Sequence, residues 1–100
     1  MFTFYRDERL QIDVPILELF WEELALDEQE EILLRWEQIR STIPDRIIEL
    51  EGKIMEKQSQ LSNEENFETS CSLNTQIADL ASIINDLWLW YRKTFLITTK

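Results

Sequence analysis

Histidine is missing altogether, cysteine and glycine occur once each, and proline occurs twice among 100 residues. Each shortage closes off something. Without histidine the chain lacks the commonest general acid–base group near neutral pH and the commonest metal ligand. The Glu-x-x-His pairs of di-iron helical proteins therefore have no counterpart here. Cys71 has no second cysteine to pair with, which excludes a disulfide-stapled secreted scaffold, and no histidine to activate it as a nucleophile. Its expected state is an inert or half-buried thiol, as is usual for free cysteine. Gly52 alone cannot furnish the tight turns of a multi-hairpin sheet. With only Pro15 and Pro44 besides, the chain reads as helices joined by a few loops. There is no Gly-rich phosphate loop, no Ser-x-x-Lys pattern and no zinc-ligand spacing. We expect no enzymatic activity, no cofactor and no metal site.

Positive charge is also scarce, with ten basic residues against twenty acidic ones. The imbalance is uneven. Residues 1–43 hold eleven acids and four bases, a net of −7, and residues 44–72 hold seven and three, a net of −4. Residues 73–100 hold two acids and three bases, a net of +1. Phosphate binding needs clustered Lys and Arg, so nucleic acid and anionic membranes are not expected partners. Charges fall among Met1–Leu10, where a signal peptide needs an apolar run, and the most apolar stretch is interrupted by Asp79, Asp86, Arg92 and Lys93. A cytoplasmic protein is expected.

What is abundant is apolar periodicity. From Leu73 the apolar residues Ile77, Leu80, Ile84, Leu87 and Tyr91 follow at intervals of four and three, the spacing of a coiled-coil seam. Ala78, Ala81, Ile83, Trp88, Leu89 and Trp90 surround it, so this helix, expected over 73–95, needs cover on most sides. Upstream, Ile32, Trp36, Ile39 and Ile43 repeat the spacing. Asp27 with Glu30 suggests a helix start near Leu26, and Pro44 suggests a break or a kink. A thinner stripe (Ile47, Ile48, Leu50, Ile54, Met55 and Leu61) marks a helix over about 45–61. Asp13 before Pro15 looks like another helix start, with Ile16, Leu19, Phe20 and Leu24 on its face.

The fold expected from these patterns is all-α. It is a small antiparallel helical bundle of three to four helices with a long, mostly apolar C-terminal helix, in a single domain over 1–100. Residues 1–13 form an N-terminal arm, extended or a hairpin, and 62–72 the main loop.

Two features invite a functional reading. Glu28 with Glu31, and Glu65 with Glu68, are spaced to share a helix face, and Mg²⁺ needs only oxygen ligands. Such pairs are expected by chance in so acidic a chain. The Glu-x-x-Asp helix that completes the site in all-α nucleotide pyrophosphohydrolases is lacking, because Gln76 and Ile83 precede Asp79 and Asp86. The other feature is aromatic. Trp88, Trp90 and Tyr91 stand beside Arg92, on two faces of the last helix, and typify interface anchors. We expect a non-enzymatic helical protein–protein interaction or regulatory protein, self-associating as a homodimer through 73–95. Its interface would use Ile83, Trp90, Trp88 and Tyr91, with Phe2 and Phe4 of the arm. The alternatives are an acidic inhibitor or nucleic-acid mimic that presents the −11 of residues 1–72 to a basic protein, and a Mg²⁺-dependent phosphate enzyme built on Glu28 and Glu31.

Overall fold

The computed structural model describes residues 2–17 and 20–92, with the side chains of Phe2 and Leu17 excepted. The chain opens with two strands, β1 (Phe2–Asp7) and β2 (Ile12–Leu17), paired antiparallel with Phe4 opposite Pro15 and Arg6 opposite Asp13. The turn between them is held by Asp7, whose Oδ1 accepts from the Leu10 amide at 2.9 Å while its carbonyl accepts from the Gln11 amide at 2.7 Å. Gln11 takes a φ of 63° to close it. The helix expected from Asp13–Pro15 does not form. Ile12 and Val14 alternate inward as β residues and are buried. Both strands of a two-stranded sheet are edges, where proline is accepted if its nitrogen faces away from the partner. A single 3-10 turn, Trp21–Glu23, follows. Leu19 lies outside the described residues, and Phe20 is exposed rather than packed.

Helix α1 (Leu26–Arg40) begins where the sequence suggests, by a different device. Glu28 Oε1 reaches back to the Ala25 amide at 3.3 Å, the glutamate half of a capping box, with no side-chain acceptor on Ala25 to complete it. Ile32 and Trp36 are buried, and Leu33 and Ile39 half-buried. Residues 41–42 turn the chain into α2 (Ile43–Ser62) without reversing it. Neither hydroxyl there caps the new helix. Ser41 Oγ donates back to the Gln38 carbonyl and Thr42 Oγ1 to that of Ile39. Backbone bonds from Ser41 to Glu37 and from Arg46 to Thr42 carry the helix across. Pro44 lacks the N–H and crowds the preceding turn, so it bends the rod rather than ending it.

Helix α3 (Phe67–Arg92) starts six residues before the expected Leu73, and the loop shrinks from 62–72 to 63–66. The start is set by Asn66, whose Oδ1 accepts from the Thr69 amide at 2.9 Å, a standard N-cap. Residues 93–95, expected to extend this helix, lie outside the described region.

The expected bundle of three to four antiparallel helices is therefore corrected. The chain is mostly α, but it consists of one bent helical stretch over 26–62, one long helix over 67–92 folded back on it, and a small sheet. The dimensions, 59 × 24 × 21 Å, are those of a rod rather than a bundle. The physical reason lies in two segments. Residues 12–24 spend their apolar side chains as a strand and a short turn, and α1 runs on into α2 instead of turning back beside it. The core gathers at one end, where Leu10, Ile12, Val14, Trp21, Leu24, Ile32 and Trp36 meet Ile43, Ile47, Leu50 and Leu87. Helix α3 is thus central only at its C-terminal end. Leu87 is fully buried, while Leu80 and Ile84, expected to match it, are half-buried because α2 covers them from one side.

Candidate functional site

The α2–α3 hairpin follows two matching seams. Ile43, Ile47, Leu50, Ile54, Lys57 and Leu61 on α2 are buried or half-buried, as are Leu73, Ile77, Leu80, Ile84, Leu87 and Tyr91 on α3. In an antiparallel pair of right-handed helices, the residue after a seam position lies about 100° round, on the same side of the hairpin for both helices. The residue before a seam position lies on the opposite side. The two sides differ sharply in this protein.

The side of the preceding residues is closed by the rest of the chain. Ile83 and Trp90, the expected dimer strip, are half-buried against the core, with the Trp90 ring 5.5 Å from that of Trp36. Asp86 accepts from Arg9 at 2.6 Å, and the same guanidinium bonds Ser82 Oγ at 2.6 Å, so the strand turn is fastened to α3. At the helix end, Arg40 lies 4.3 Å over the Tyr91 ring and donates Nε to the Tyr91 carbonyl at 2.8 Å. Phe4 carries the Arg35 guanidinium 4.2 Å above its ring. The sheet and α1 thus cover the strip that we expected a second copy to cover. The side chain of Phe2 lies outside the described residues.

The other side is open. Ile48 and Met55 of α2 are 65% and 67% exposed, and Phe67 of α3 is 79% exposed. Trp88, in edge contact with Tyr91 at 5.5 Å, is 37% exposed. Between Phe67 and Trp88 the same strip of α3 carries Cys71, Asn74, Ala78, Ala81 and Asn85, all exposed and none charged. In a chain with 30% charged residues, a neutral strip of this length is unusual. Glu51 on α2 and Arg92 at the end of α3 are its only ionised neighbours at these positions. Of the six residues expected at an interface, Trp88 alone among those whose side chains are described belongs to this face. Ile48, Met55, Phe67, Ala78 and Ala81 were not among them, although the interval of four and three from 67 to 88 is a second charge-free stripe legible in the sequence. Gly52 stands clear, since a Cβ added there meets nothing within 4 Å.

Two clefts are formed by the described residues. The cleft bounded by Asp7, Arg9, Leu10, Asp86, Leu89 and Trp90 has a volume of about 220 Å³. Another, beside Arg6, Asp13 and Thr42, measures about 210 Å³. Both fall short of the roughly 300–1,000 Å³ of ligand pockets. Glu28 is engaged in starting α1, and among the described residues no three acidic, His or Cys side chains gather as metal ligands. Nor, among those residues, is any helix long and apolar enough to cross a membrane. Comparison with protein-family models, with curated proteins and with solved structures finds no match to this chain.

Proposed function

We propose that this chain is a non-enzymatic protein–protein interaction or regulatory protein whose working surface is the open face of the α2–α3 hairpin. The observation that carries the reading is that face itself. Exposed Ile48, Met55, Phe67 and Trp88 border a strip of α3 without charge, whereas the other exposed apolar residues, Phe20, Leu26, Leu34 and Leu89 among them, lie off this face. A contiguous exposed apolar surface on a small protein marks a docking site more often than an accident of composition. Hydrophobic helix faces recognise other helices through anchors at this spacing. The free, exposed Cys71 suits a reducing cytoplasm, where we place the protein.

A photo-reactive amino acid placed in cells at Ala78, and separately at Glu31 on the acidic outer face of α1, tests the reading. Adducts to protein at Ala78 well above those at Glu31 are expected. Adducts at Glu31 alone would overturn it in favour of an acidic inhibitor presenting residues 1–72 to a basic partner. Retained solubility and helicity of the Ala78 variant make an absence of adducts there equally decisive against it.

A further inference from the structure

We infer that a second copy of this chain covers the open hairpin face, the two copies related by a twofold axis parallel to the helices, so that each α3 lies against the partner's α2. The inference deepens the interaction reading and rests on it. Charge is the first argument for the occupant. A copy brings its own −10, and two such chains repel wherever their acidic surfaces meet. The strip from Phe67 to Trp88 carries no charge, and the α2 half of the face adds one carboxylate, Glu51, to each copy, set against the partner's uncharged α3 strip rather than against its acid. A basic partner, by contrast, gains nothing from a neutral face and is drawn to the acidic ones.

Area is the second argument. Paired with α2, which ends at Ser62, the face runs from about Cys71 to Trp88 of α3, about 27 Å of helix at 1.5 Å per residue and two helices wide at 8–10 Å each, and Phe67 extends it on α3 alone. That is about 500 Å² on each copy and about 1,000 Å² for the pair, the least that a specific interface needs.

Size matching selects the axis. Lys57 Nζ donates to Gln76 Oε1 at 2.6 Å, which sets the register of the hairpin. Counting back along α2 and forward along α3 from that bond, Met55 is level with Ala78, and Ile48 is level with Asn85. With the axis parallel to the helices, levels are preserved while α2 and α3 exchange sides. Met55 then fills the shallow ground over the partner's Ala78 and Ala81, and Ile48 meets the partner's Trp88. The alternative axis, across the helices, stacks α2 on α2 and α3 on α3, large side chains on large and alanine on alanine. Close packing favours the first arrangement. All neighbouring helices across the interface then run antiparallel, as they do within each hairpin.

Sedimentation equilibrium on the full chain at tens of micromolar is expected to give twice the 12.1 kDa monomer mass. Met55→Glu and Ala81→Glu should each halve it with unchanged helicity, since both positions are exposed, while Glu31→Gln leaves it doubled. For the axis, Cys71→Ser chains bearing Met55→Cys are mixed with tagged Cys71→Ser chains bearing Ala78→Cys and oxidised with diamide. The mixed disulfide between the two chains is expected to dominate over either self-crosslink. Dominant Met55→Cys self-crosslinking would overturn the arrangement, and a wild type that stays at 12.1 kDa would overturn the second copy altogether. In that last case adducts to some other protein at Ala78 would leave the broader interaction reading standing.

Discussion

Replacing Leu87 by alanine removes three carbons from a side chain that is 0% exposed and sits where α3 meets Ile43, Ile47 and Leu50 of the core. At about 0.8 kcal/mol per buried methylene the transfer loss alone is about 2.4 kcal/mol. The surrounding bent rod and sheet close only partly over the void, and the added cavity cost places the total in the usual range of about 2–5 kcal/mol. We take about 3 kcal/mol. A domain of this size loses about 4–8 °C of melting temperature per kcal/mol, so the Tm should fall by about 12–24 °C. Thermal and urea unfolding followed by far-UV circular dichroism measure the two quantities, at one fixed protein concentration, because the proposed self-association would make the midpoint concentration-dependent. Two companion variants calibrate the result. Leu89→Ala, two residues on and 56% exposed, should cost no more than about 0.5 kcal/mol. Leu80→Ala, half-buried, should fall between. If Leu87→Ala and Leu89→Ala unfold at the same midpoint, the C-terminal end of α3 is not packed in the core and the account of the fold is wrong.

Other consequences can be checked on the same scale. Gly52→Ala should stabilise the protein by about 1 kcal/mol, since the position is exposed in mid-helix and a Cβ there meets nothing within 4 Å; a destabilised variant in thermal melts would mean that the site is contacted. Asn66→Ala removes the acceptor for the Thr69 amide and should cost about 1 kcal/mol, with faster amide exchange confined to the first turn of α3. A double-mutant cycle on Arg9 and Asp86 should return a coupling below about 1 kcal/mol despite the 2.6 Å contact, because both side chains keep more than a third of their surface in water and salt screens them. That coupling should shrink further in high salt.

The periodic helices were legible in advance because their signal is local. The seam from Leu73 to Tyr91 and the stripe from Ile32 to Ile43 need only a repeat of four and three, and both fall on the covered sides of their helices. Within α2 the same reading merged two faces. Ile47, Leu50 and Ile54 line the seam, while Ile48 and Met55 point to the open side, a division that depends on where the partner helix lies. Asn66 is one of several polar residues in the stretch 62–74 able to cap a helix, and only the geometry of its Oδ1 singles it out.

Composition and periodicity by themselves determined that this chain is mostly helical, that α3 carries a continuous apolar seam, and that the bulk of its negative charge lies ahead of residue 73. These are properties of local spacing and of counts, and no distant residue alters them. Only the tertiary structure decided that Ile12–Leu17 is a strand, since its local cues read equally as a proline-led helix start and pairing with Phe2–Asp7 settles the matter. It also decided which side of α3 is free. A helix apolar nearly all round does not indicate which face its own chain covers. The answer rests on contacts between residues far apart in sequence, Arg9 with Asp86 and Trp36 with Trp90, which close the side of Ile83 and leave that of Ala78 and Ala81 open to solvent.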